Sequence, residues 1–294
     1  MSIVSIIKFI TNHPLNRNNK TSAVLRFFKW QINARLNPFP VIFPFTEKCK
    51  LIVQKGMAGA TGNLYCGLHE YNDMFFLLHF LRKEDLFIDI GANVGSYTVL
   101  ASAHVGAKTI SIEPVPKTFS ALTQNIFINQ INEIVRPLNI AIGSKQDTLK
   151  FTSSFDTVNH VVISNEHYEN LIEVKVEKLD NILDDDMPSL IKIDVEGFET
   201  EVVNGAYDVL TNNKLKAIII ELNGSGRRYG YDEFEIHKTF LDLGFAPYAY
   251  DPVKRELNKL SRFGTENTIY IRDESFVKDR VKTAEKVKVL NTAV

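Results

Sequence analysis

The sequence predicts an α/β fold built on a mostly parallel sheet with helices on both faces. Three observations carry this. From about residue 70 onward, short apolar runs alternate with stretches whose apolar residues recur at helical spacing. The runs are continuously apolar, as strands buried on both faces are. The last two, 245–250 and 267–272, have no helix between them, so they pair antiparallel.

The elements follow in order. Residues 86–90 form a strand that ends at Gly91. A helix is expected from Val94 to His104, with Val94, Tyr97 and Ala101 on one face and Gly106 at its cap. Residues 109–112 are the second strand. Pro116 suits a first helical position, and Phe119, Leu122 and Ile126 share a face of the helix it opens. A third strand lies near 135–142. The fourth, 190–194, precedes a helix that turns Val202, Val203, Ala206 and Leu210 inward. Residues 217–221 are the fifth. Asp232 and Glu235 resemble a capping box, opening a helix with Ile236, Phe240 and Leu243 on one face. Five strand–helix units and a closing hairpin result. Residues 147–178 interrupt this order: 148–152 and 173–177 alternate apolar and polar and read as an inserted strand pair, with 153–170 as the loop between.

Composition is that of an ordinary globular chain: 294 residues, 34 Lys+Arg against 35 Asp+Glu, 45% hydrophobic and 23% charged. It excludes disorder, collagen, a disulfide scaffold and a polytopic membrane protein. The length suits a basic N-terminal extension, 1–64, packed on a main domain, 65–294. A net charge of −1 leaves no nucleic-acid footprint. Cys49 and Cys66 allow one disulfide or, in a reducing cytosol, two free thiols. Charge is uneven, however. Residues 1–46 hold Lys8, Arg17, Lys20, Arg26, Lys29 and Arg35 and no acid. The apolar start, 3–10, is too short to span a bilayer and lacks the layout of a secretory signal; a cytoplasmic location is expected. The stretch 24–30 reads either as a helix packed on the main domain or as an amphipathic helix on an anionic membrane surface.

Ligands in parallel sheets bind beyond the carboxyl ends of the strands. This directs attention to 89–95, Glu113, 141–144, 194–197 and 221–226. Residues 87–95 spell a strand, a tight turn and a helix start. Gly91 and Gly95 let the backbone approach a ligand, and Asn93 tolerates positive φ. The outer glycines stand four apart, not five as in the nicotinamide fingerprint. The Asp89-x-Gly91-x-x-x-Gly95 pattern resembles the first motif of S-adenosylmethionine (SAM)-dependent methyltransferases. Glu113 closes the second strand, where a carboxylate accepts ribose hydroxyls.

Four segments, 87–98, 112–116, 190–199 and 220–224, resemble in order and spacing the FkbM family of class I methyltransferases. The likeness covers about 65–275. It implies a Rossmann-like, seven-stranded sheet with an antiparallel last strand, SAM as methyl donor, and a hydroxyl acceptor, often on a sugar or polyketide. By position it sets Asp89, Gly91, Asn93 and Gly95 around the methionine part of SAM and Glu113 at its ribose. Glu70 matches a recurrent acid that helps close the cofactor site.

A sulfonium is already a good leaving group, so positioning is the main task; an alcohol acceptor also benefits from a general base. Asp194, at the end of the fourth strand, is the first candidate base, or else a helix cap. Glu196 shares the role or is structural. His160 is the other candidate, with a side chain suited to neutral-pH proton transfer. Glu221 and Asn223 are expected to bind the acceptor. With Asp194 they offer three oxygens that would suit Mg²⁺, or they hydrogen-bond the acceptor or the loop with no metal. Arg227 and Arg228 have donors for an acidic group on the acceptor or are solvated charge. The run 184–186 is a solvated turn. The expected activity is O-methylation of a sugar hydroxyl on a glycan or its precursor. The alternatives are a nicotinamide-dependent oxidoreductase, which the glycine spacing and the missing Tyr-x-x-x-Lys pair oppose, and a non-catalytic nucleotide-binding module.

Overall fold

The structure, a computed structural model, describes residues 2–153, 159–163, 168, 170–183 and 186–294. Asp184 and Asp185 of the expected turn, and most of the expected 153–170 loop, lie outside those residues.

The chain opens with α1 (Ile3–Asn12) and α2 (Lys20–Leu36), a hairpin of β1 (Val41–Pro44) and β2 (Lys50–Val53), then α3 (Ala58–Cys66) and α4 (Tyr71–Phe80). The alternating part follows. It comprises β3 (Leu86–Ile90), α5 (Ser96–Val99), β4 (Lys108–Ile112), α6 (Pro116–Ile128) and β5 (Val135–Leu138). Next come β6 (Ala141–Ile142), β7 (Asp147–Thr152), β8 (Leu171–Glu177), β9 (Leu190–Ile193), α7 (Glu199–Asn204) and α8 (Tyr207–Thr211). The chain continues through β10 (Ala217–Glu221), α9 (Glu233–Asp242), β11 (Ala246–Asp251), β12 (Glu256–Lys259), β13 (Asn267–Ile271) and α10 (Glu274–Thr283). A short hairpin, β14 (Lys288–Val289) and β15 (Thr292–Ala293), ends it.

The main sheet runs β12-β11-β13-β10-β9-β3-β4-β5. β10, β9, β3, β4 and β5 are parallel to their neighbours in that run, and β13 lies antiparallel between β10 and β11. The α/β class and the antiparallel last strand are as the sequence predicts. The strand count is not: the sheet has eight strands. The extra strand, β12, is a polar, mostly exposed Glu-Leu-Asn-Lys edge strand, invisible to a search for apolar runs.

Two further elements differ from expectation. The third strand breaks after Leu138 because the Asn139 side chain donates to the carbonyls of Glu113 and Pro114, at 2.8 and 3.0 Å. β6 then joins β8 and β7 in a second, three-stranded sheet. The helix expected from Val94 starts at Ser96, because Gly95 is left-handed at φ 87°, and widens into a π-turn over Leu100–Val105 before Gly106 caps it.

Both faces of the main sheet are buried. On one face Ile88, Ile90, Ile191 and Ile193 pack with Val202 and Phe240. On the other, Phe87 and Leu190 pack with Phe75 and Phe76 of α4, and Ile10, Phe27 and Trp30 of α1 and α2 join the same cluster. The first two helices also reach the carboxyl ends of the strands, where Ile10, Phe27 and Trp30 share a cavity with Gly91 and Asp194.

Candidate functional site

The site begins at the turn after β3. Gly91 sits at φ 80°, and a Cβ there would lie 1.8 Å from the carbonyl oxygen of Asp194. Only glycine lets β3 and β9 emerge this close together. Gly91 and Ala92 both donate to the Ile112 carbonyl, each at 2.9 Å. Asn93 is left-handed at φ 51°; its amide donates to one oxygen of Glu113, at 3.0 Å, while Val115 donates to the other, at 2.9 Å. Burial pushes the Glu113 carboxyl up to about 7. Asp89 lies under the turn. It accepts from the amide and hydroxyl of Thr98, at 3.0 and 2.7 Å, and so braces the start of α5. Burial lifts its carboxyl to about 6.

Beyond the next strands stands a group of acids. Asp194 follows β9, Glu221 ends β10, and Glu196 sits on the loop between β9 and α7, in left-handed backbone at φ 56°. One carboxylate oxygen from each lies within 4.8 Å of the others. Burial first, then the charges of Asp194, Glu221 and Glu199, push Glu196 up to about 8. Burial and then Asp194 raise Glu221 as well. Glu199 holds the loop from beneath, accepting from the amides of Val195 and Gly197, at 3.2 and 3.1 Å.

A lysine balances these acids. Lys192, 3% exposed and inside β9, donates from Nζ to Asp194 Oδ2 at 2.6 Å, and lies 4.7 Å from the centre of the Tyr97 ring. Burial alone would favour the neutral amine; Asp194, Glu70 and Asp89 outweigh it and hold the ammonium above its usual range. Grouped acids of this kind can also hold a divalent cation, but Asp194 already has a cation in Lys192.

These parts line one cavity of about 760 Å³, within the usual range for small-molecule sites. Glu70, Asp89, Gly91, Asn93, Glu113, Asp194, Glu196 and Glu221 all face it. Glu70 is itself held by the Asn267 side chain at 2.8 Å. Gly95 lies behind the lining, where a Cβ would meet Leu122 at 2.5 Å. Four more expected residues are, like Gly95, not among the lining ones. Asn223 is exposed and accepts from the Ser225 amide at 2.9 Å. Arg227 and Arg228 are exposed on a 3₁₀ turn, although the charge of Arg228 reaches Glu196. His160 is 5% exposed and packed edge-on to Tyr168; its neighbour Asn159 lines the cavity instead.

Sequence reasoning missed Lys192, Tyr97 and Glu199. Lys192 had a signal, since a lysine inside a strand buried on both faces needs an acidic partner. It also missed the opposite wall, where Phe9, Ile10, Phe27 and Trp30 line the same cavity. Those helices are distant in sequence, and no local pattern announces the contact.

The methyltransferase FkbM domain matches residues 89–247, more than half of the chain. Three relatives are similar to it. The hexuronic acid methyltransferase AglP of Haloferax volcanii is 25% identical over 202 residues, covering 68% of this chain and 72% of that protein. Methyltransferase sdnD of Sordaria araneosa is 23% identical over 42% of this chain and 61% of its own length. Methyltransferase 1 of Beauveria bassiana is 25% identical over 55% and 73%. The chain belongs to the FkbM methyltransferase family.

Proposed function

We propose that this FkbM-family methyltransferase uses SAM and methylates a hydroxyl oxygen of a sugar, on a glycan or its precursor. The observation that carries the reading is the meeting of the glycine turn with the Asp194–Glu196–Glu221 acids in one cavity.

The residues present fit the cofactor. Gly91 keeps clear a cradle that a Cβ would fill. An acidic floor suits a molecule whose sulfonium carries positive charge. Glu113, fixed by two amides, keeps lone pairs for ribose hydroxyls; the Gly91–Asn93 backbone and Glu70 would hold the methionine part. Bound SAM supplies an electrophilic methyl group. The chain's own task is to position the acceptor and take its proton.

Glu196 is the better base of the two first candidates. Asp194 is committed to Lys192. Glu196 sits close to neutrality, where a general base is most effective. Glu221 orients the acceptor beside it. The hexuronic acid methyltransferase among the relatives supports a sugar acceptor.

The test is incubation of the purified protein with methyl-labelled SAM and a host glycan extract, followed by mass spectrometry. Label on a sugar oxygen is expected. Label on nitrogen or carbon, or a chain that does not bind S-adenosylhomocysteine, overturns the reading.

A further inference from the structure

Helix α2 is apolar on two opposite sides. Ala23, Phe27 and Trp30 turn inward and are buried. Leu25, Phe28, Ile32 and Leu36, spaced three, four and four apart, form a second stripe on the outer side, between 47% and 80% exposed. An amphipathic surface helix needs only one apolar side to pack on its core, so the outer stripe is surplus to the fold. The outer stripe continues past the end of α2 into Phe39, 73% exposed, and Ile42, 55% exposed. Nine of the fifteen exposed large apolar side chains among the described residues fall within the first 42 positions. Six of them, Leu25, Phe28, Ile32, Leu36, Phe39 and Ile42, follow one another along α2 and the segment beyond it, denser than the usual scatter of single side chains.

The charge carried by this stretch of chain has one sign. Residues 1–46 carry six basic residues and no acid. Arg26 is turned inward to Asn16 and the Tyr65 carbonyl; Lys8, Arg17, Lys20, Lys29 and Arg35 are exposed. Lys29 flanks the outer stripe on one side, at a helical angle where a long cationic side chain reaches past an apolar face to anionic headgroups; Arg35, on the other side, donates to Gln31 and lines the cavity. A two-fold contact between copies of this chain would set these like charges against each other. Among the described residues no helix is long and apolar enough to cross a membrane, so the geometry calls for contact in the plane of the interface.

We propose that the outer face of α2, with the Phe39–Ile42 segment beyond it, docks on the surface of an anionic phospholipid membrane. The inner face of the same helix lines the cavity through Phe27 and Trp30. Docking thus places the cavity one helix away from the headgroups. This goes beyond the methyl-transfer reading and does not depend on it.

Co-sedimentation of the full chain with vesicles of mixed phosphatidylcholine and phosphatidylglycerol, against phosphatidylcholine alone, tests the proposal. The protein is expected to pellet with the anionic vesicles and to be released by salt. F28E/I32E should weaken binding about tenfold or more, and K29E, which leaves the apolar stripe intact, about fivefold. S-adenosylhomocysteine binding and melting temperature check that each variant folds; if F28E/I32E does not, K29E alone decides. Failure of the wild type to pellet overturns the proposal. So does equal pelleting with both vesicle types, or a solution dimer that F28E/I32E breaks in a chain that binds no vesicles.

Discussion

The ammonium of Lys192, inside the buried strand β9, lies 2.6 Å from the carboxylate of Asp194. Its charge also acts on Glu70 and Asp89. Removing one partner of a buried pair leaves the other uncompensated. Lys192→Met should therefore lower the unfolding free energy by about 3 kcal/mol, measured by urea titration at neutral pH. A loss under about 1 kcal/mol would mean that the acids relieve one another by sharing protons.

With Glu196 as the proposed base, proton transfer requires its carboxylate. The rate should therefore rise with pH and level off above about 8, the value to which burial and its acidic neighbours push this group. The apparent value belongs to the acidic group as a whole. Glu196→Gln should cut kcat by about 100-fold and remove that limb of the profile. An unchanged profile in the variant would move the base elsewhere.

Buried acids also govern stability. Glu113 and Glu199 are pushed up to about 7 and Asp89 to about 6, in each case first by burial. The native state therefore holds protons that the unfolded chain has released, and stability falls as pH rises through these values. Below about pH 6 the buried His13 and His79 and the half-buried His104, lowered first by desolvation to about 4, 3 and 4, act in the opposite sense. With Asp73, Glu196 and Glu221 raised as well, the acids outnumber the histidines, so the melting temperature should fall from about pH 5 to about pH 8. Differential scanning fluorimetry across that range reads it directly; a steady rise to pH 8 would contradict the burial of these acids.

The two glycines of the turn should differ in their response. Gly91→Ala drives a methyl group into backbone, the Asp194 carbonyl at 1.8 Å. Gly95→Ala meets only the end of a flexible side chain, Leu122 at 2.5 Å. Both suffer a left-handed backbone penalty of about 1 kcal/mol or more. Calorimetry with S-adenosylhomocysteine should show binding abolished in Gly91→Ala and weakened in Gly95→Ala, and the reverse order would refute this account of the turn.

The succession of strands along the chain and the glycine turn were legible in the sequence because both rest on local signals. Continuous apolar runs mark strands buried on both faces, and Asp89, Gly91 and Asn93 answer to backbone conformation at their own positions. The acids were legible by the same logic, as residues just past a strand end. Position along the chain does not say which way a loop turns, so Asn223, Arg227 and Arg228 looked equivalent to Glu221 and are not. His160 looked free to fold over the cleft, yet its ring is buried against Tyr168. The wall built by α1 and α2 depends on contacts between residues far apart in sequence, for which the chain carries no short-range mark.

Trp30 is the one tryptophan in the chain, and it lines the cavity wall. The protein therefore carries its own optical reporter. Intrinsic emission excited at the indole band comes from a single position, so a change in colour or intensity on adding a ligand reads occupancy directly, without a dye, a label or a coupled assay.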